Sequence, residues 1–135
     1  MKFIFVNVLM GMYRGGGENF DLNLSRELAE MGHEIEIYYL TPIFKKQKFK
    51  IPEYAIGKPI KSFWFYQITQ FIHTIPFVKN VRGFRGAPRI AGQLIFEFIV
   101  FLHIALRKND EFVLHICSLG FLGLLATKLL KRKVY

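Results

Sequence analysis

The chain has a single cysteine, Cys117, among 135 residues, which excludes an internal disulfide and any disulfide-stapled scaffold, and nothing in it implies an oxidising compartment. Proline is missing from both ends, because Pro42, Pro52, Pro59, Pro76 and Pro88 all fall within 42–89. Regular structure is therefore expected on either side of that stretch and interrupted within it, with a short helix around 63–75. No apolar run is long enough to span a bilayer comfortably. The longest, 90–106, is broken by Gln93, Glu97 and His103, and a glutamate near its middle is costly in hydrocarbon. It reads as a core helix with a narrow wet edge along Gln93, Glu97, Val100 and His103/Arg107. There is no internal repeat, and no metal-ligand spacing relates His33, His73, His103 and His115, so no metal is expected.

What is present is apolar and basic. Apolar residues make up 52% and charged residues 21%, the balance of one globular domain rather than a disordered chain. The net charge of +9 is unevenly placed: 1–41 carry −3, 42–92 carry +9 and 93–135 carry +3. The basic middle also holds Phe44, Phe49, Tyr54, Phe63, Trp64, Phe65, Tyr66, Phe71 and Phe77. Basic residues among aromatics suit an anionic membrane surface, where cations meet phosphate and rings lie at headgroup depth. A solvated insertion whose rings pack on the core is the plainer alternative. Single-stranded nucleic acid, bound by phosphate contacts and stacking, is the least favoured.

Residues 2–9 form a nearly continuous apolar run, the pattern of a parallel strand covered on both faces, rather than a cleaved leader. A glycine-rich loop follows over 11–17. Phe20, Leu24, Leu28 and Met31 then recur at helical spacing, with Glu18, Asp21, Glu27 and Glu30 on other faces. Gly32 stands where a helix often ends in a left-handed residue. Residues 34–40 alternate as a second strand, 112–117 read as a third, 120–131 as a leucine-rich helix and 133 onward as a further strand. Strand, glycine loop, helix, strand is a βαβ unit, so the sheet should be parallel.

Gly15, Gly16, Gly17 and Glu18 open the first helix, where free N–H groups and the helix dipole favour an anion. They do not make a dinucleotide fingerprint, since Phe20 stands in place of its third glycine and Leu40-Thr41 end the second strand without an acid. A nicotinamide-type oxidoreductase is disfavoured accordingly. A tight turn alone would also use such glycines.

Tyr13-Arg14-Gly15-Gly16-Gly17-Glu18-Asn19, followed by Leu28-Ala29-Glu30-Met31-Gly32-His33-Glu34-Ile35, resembles the opening of the GT4-type glycosyltransferases of the GT-B fold. Phe112-Val113-Leu114-His115-Ile116-Cys117-Ser118 and the helix after it are similar to that family's later strand and helix. The likeness covers 1–41 and about 95–135 and implies a Rossmann-like parallel sheet with helices on both faces, the N-terminal half of such an enzyme. It implies retaining transfer from a nucleoside-diphosphate sugar, with no other cofactor. Gly15, Gly16, Gly17 and Glu18 would meet the donor phosphates. His115 and Cys117 would take catalytic positions, and Tyr13 and Ser118 would face the acceptor, a lipid-linked or cell-envelope glycan at the cytoplasmic face of the membrane. Cys117 stands where the family often has a second histidine, and a thiol is a weak hydrogen-bonding group.

The donor-binding half of the family's enzymes has no counterpart in these 135 residues. The expectation is a domain, with a basic-aromatic insertion at 42–92, that is inactive alone and works as a fragment, with a separate donor-binding subunit, or as a remnant. The alternative is a non-catalytic module that docks a membrane or a subunit.

Overall fold

The computed structural model describes residues 1–8, 10, 15–41, 50–61, 71, 74–77, 87–107, 111–117, 120–131, 133 and 134. The strands are β1 (Lys2–Val6), β2 (Glu34–Thr41), β3 (Ala55–Lys61), β4 (Phe112–Ile116) and β5 (Lys133–Val134). They form one sheet in the order β3-β2-β1-β4-β5, and every neighbouring pair is parallel. Helix α1 (Gly16–Glu30) lies between β1 and β2 in the chain, and α2 (Ala87–Ala105) precedes β4. Helix α3 (Phe121–Leu125) runs into a π-helical turn, Ala126–Leu130, before β5. This is the expected Rossmann-like α/β sheet. Its strand order reverses at β1, where Val6 pairs with Tyr38 of β2 on one side and Ile116 of β4 on the other.

Alternation along the strands divides the core. Ile4, Val6, Tyr38, Leu40 and Leu114 turn to one face, where they pack with Phe96, Val100 and Ile104 of α2 and Leu122 of α3. Phe5, Ile35, Ile37 and Tyr39 turn to the other, with Leu22, Leu24 and Leu28 of α1. Burial on both faces explains why β1 and β2 read as nearly unbroken apolar runs. Glu36, buried within β2, is compensated by Lys2 at 3.4 Å and Arg107 at 2.7 Å.

The exit of α1 follows the sequence expectation. Gly32 has φ +84°, its N–H donates to the Ala29 carbonyl at 2.9 Å, and the His33 N–H donates to the Leu28 carbonyl at 3.0 Å. These two bonds are a Schellman closure.

Three expectations are corrected. Only the middle of the stripe Phe20, Leu24, Leu28, Met31 faces the core: Leu24 and Leu28 pack against the sheet, but Phe20 and Met31 are exposed, while Glu18, Asp21, Leu22 and Ser25 are buried. The burial of that polar row is tolerated because its groups are hydrogen-bonded, with Ser25 Oγ donating to the Leu22 carbonyl at 2.9 Å and lying 3.0 Å from the Tyr54 hydroxyl. Glu97 is not on a wet edge of α2 but fully buried, its Oε2 accepting the Leu122 N–H at 2.6 Å. It thereby neutralises the start of α3. Lastly, the proline-containing middle holds a strand, β3, with Pro59 inside it. Pro59 has no N–H to give, which an edge strand tolerates and a central one does not. Tyr54, one of the block's aromatics, packs against α1. Of the short helix expected at 63–75, Phe71 and Thr74 are described and helical, with Thr74 Oγ1 donating to the Phe71 carbonyl at 2.6 Å, while the rest of that stretch apart from Ile75, and most of 42–86, lie outside the described residues.

Candidate functional site

In an open parallel sheet, ligands collect beyond the carboxyl ends of the strands at the point where strand order reverses. Here that point lies between β1 and β4, and Asn7 and Cys117 are the first residues past the two strands. The Cys117 N–H continues the ladder, donating to the Val6 carbonyl at 3.0 Å.

The two motifs that the sequence suggests separately meet here. A Cβ built on Gly17 would lie 3.2 Å from Cys117 Sγ, so the first turn of α1 sits directly against the end of β4. Gly15 is the N-cap of α1 and has no side chain to satisfy the first N–H groups. Gly16 and Gly17 are exposed, and nothing lies within 4 Å of a Cβ built at Gly16. Glu18 turns inward instead. It is buried, and its Oε2 accepts the Gly15 N–H at 2.9 Å, which clamps the loop rather than presenting a group to a phosphate.

At the centre is Asp21, 1% exposed, whose Oδ1 lies 2.9 Å from His115 Nε2 and whose Oδ2 accepts from Asn7 Nδ2 at 2.6 Å. A carboxylate only accepts, so the proton of this contact belongs to His115 Nε2, and a neutral ring then carries its lone pair on Nδ1. His115 is partly exposed and is held between Phe5 and Phe20, with ring centroids at 5.0 and 6.2 Å. Cys117 joins the same group. Burial pushes its thiol pKa up, and the Asp21 and Glu18 carboxylates push it further in the same direction. At neutral pH it is therefore a protonated thiol and a poor nucleophile.

Together these residues can accept a proton or hydrogen bond at His115 Nδ1 and offer free N–H groups at the start of α1. Sequence reasoning found Gly15, Gly16, Gly17, Glu18, His115 and Cys117, and the structure brings all six together at the carboxyl-end side of β1 and β4. Tyr13 and Ser118 lie outside the described residues. Asn7 and Asp21 were missed, although Asp21 belongs to a polar row, Glu18, Asp21, Ser25, that itself follows helical spacing. Below His115, Met1, Phe3, Phe5, Leu24, Leu28 and Val113 line an apolar groove of about 400 Å³ on the α1 side of the sheet. No helix among the described residues is long and apolar enough to cross a membrane. No protein-family model matches the chain, and no curated protein is detectably similar to it.

Proposed function

We propose that this chain is the acceptor-side domain of a GT-B-type glycosyltransferase. It contributes to transfer of a sugar, with retention, from a nucleoside-diphosphate sugar to a lipid-linked or envelope glycan at the inner face of the membrane. It acts with a donor-binding domain or subunit and needs no metal or further cofactor. The observation that carries the reading is the convergence of Gly16 and Gly17 with His115 and Cys117 at the point where strand order reverses. In this reading the donor's diphosphate approaches the uncapped N–H groups of Gly16 and Gly17, which stabilise charge as it develops on the departing group. His115, oriented by Asp21, takes a hydrogen bond from the acceptor hydroxyl or the transferring sugar through Nδ1.

The test is an amide NMR titration with UDP-glucose, for which one wall of a cleft predicts an affinity on the order of millimolar. Shifts confined to Gly16, Gly17 and His115 are expected. Saturating ligand without shifts at those residues would sink the proposal. A second reading, a non-catalytic docking module, is favoured by the apolar groove beside the His115–Asp21 pair and by a thiol too weakly acidic to act as a nucleophile. It predicts no response to UDP-glucose and an unchanged phenotype for Gly16→Val.

A further inference from the structure

Helix α2 is apolar on two opposite sides. Gly92, Phe96, Val100 and Ile104 form the row buried against the sheet. Ile90, Leu94, Phe98 and Leu102 form a second row, each two residues away and so about 200° around the helix. These are 50, 37, 48 and 46% exposed, and Leu106, just past the helix, is 80% exposed. A helix that is apolar all round belongs in an interior or in contact with lipid. Yet no helix among the described residues is long and apolar enough to cross a bilayer, and the one acid of α2, Glu97, is committed to α3. The adjoining α3 and its π-helical turn continue the character, exposing Phe121, Leu124 and Leu129 among Lys128 and Lys131.

The charge of the chain selects what covers this row. Lys128 and Lys131 are the exposed cations on the adjoining turn, and no aspartate or glutamate occurs in the sequence between Glu53 and Glu97. A second copy would set one net charge of +9 against another, which opposes self-association through this face. An anionic lipid surface complements the cations and also accepts the apolar side chains at acyl depth.

We propose that the outer row of α2 is the surface by which this domain lies on an anionic membrane, with the α2 axis in the interfacial plane. It rests on the membrane-face setting proposed above, and it moves the contact from the 42–92 block as a whole to named side chains of a helix. The α1 face of the sheet, with the apolar groove, is then turned away from lipid.

The experiment is flotation of the intact chain with phosphatidylglycerol-containing vesicles against pure phosphatidylcholine vesicles. It is repeated on Phe98→Glu/Leu102→Glu, with circular dichroism and native mass recorded for each. These side chains are already half exposed, so the variant should fold; Leu94→Glu is the milder substitute if it does not. Wild type should float with the anionic vesicles only, and the double variant should partition at least about tenfold less. Three results would overturn the proposal: no flotation of wild type, equal flotation of the variant, or a wild-type dimer that the variant dissolves. Amide shifts from UDP-glucose at Gly16, measured on the same variant, are independent of this face. Failed flotation with those shifts intact therefore rejects the docking surface and leaves the sugar-nucleotide site standing.

Discussion

Alanine at Gly16 and alanine at Gly17 place the same methyl group one residue apart, and the two substitutions should act with opposite sign. Neither glycine has positive φ, so neither owes its presence to a left-handed conformation. Alanine is favoured over glycine by about 0.8–1.0 kcal/mol inside a helix, and by about half that in a first turn. At Gly16 a Cβ meets nothing within 4 Å, so Gly16→Ala should stabilise the fold by about 0.5 kcal/mol. At Gly17 the same gain is opposed by a contact of 3.2 Å with Cys117 Sγ. Overpacking costs about 1–3 kcal/mol, and a thiol that can rotate sets the lower end, leaving Gly17→Ala destabilising by about 0.5 kcal/mol. Removing the sulfur with Cys117→Ala should restore the gain, for a coupling of about 1 kcal/mol in a double-mutant cycle. Urea titration with unchanged m measures all four proteins. Thermally, about 2.1 cal/mol/K per residue over 135 residues gives an unfolding entropy of about 0.28 kcal/mol/K, so each 0.5 kcal/mol is about 2 °C in Tm. If Gly17→Ala changes stability by the same amount with and without Cys117, the loop and β4 do not meet and the site is lost. Because Gly16→Ala is predicted to be harmless to the fold, weaker UDP-glucose shifts in that variant would be a direct sign of close ligand approach to the backbone.

Asp21→Ala removes a buried acceptor of two side-chain bonds, so a loss of about 3 kcal/mol is expected in urea titration, together with a change in His115 tautomer seen by nitrogen NMR. A stable variant with an unchanged imidazole signature would contradict the His115–Asp21 contact. Glu97→Ala should cost about 3 kcal/mol, since it strips the start of α3 of a charged acceptor and opens a cavity, whereas Glu97→Gln keeps an acceptor and should cost about half as much. Equal losses for the two would mean that packing alone matters there. Cys117 should alkylate more slowly in the native than in the unfolded chain near pH 8–9, because its folded pKa is raised. The same shift makes the native state hold a neutral thiol, so its contribution to stability is complete below the unfolded thiol pKa and lost as pH rises through the folded one. Faster native alkylation would reverse that account.

Much of this fold is written in local pattern. Strands β1, β2 and β4 announce themselves because burial on both faces removes polar positions, and Gly32 marks the end of α1 because few other residues accept its conformation. What was illegible depends on partners distant in sequence. Asp21 and Glu97 look like solvated positions until His115, Asn7 and the start of α3 are placed beside them. The buried side of α1 was misjudged for the same reason: hydrogen bonding carried polar groups inward where periodicity alone favoured Phe20 and Met31. β3 was hidden by Pro59, a strand breaker everywhere except at an edge. The glycine loop and the end of β4 were legible as separate motifs, but their contact was not.

That edge proline also bears on how the molecule behaves when crowded. An unpaired sheet margin is a template on which foreign strands can polymerise. β3 forms one margin of the sheet, and Lys58 and Lys61 flank its proline, so an arriving strand meets a missing N–H and two cations within four residues. Templated growth through backbone pairing is therefore opposed at this margin.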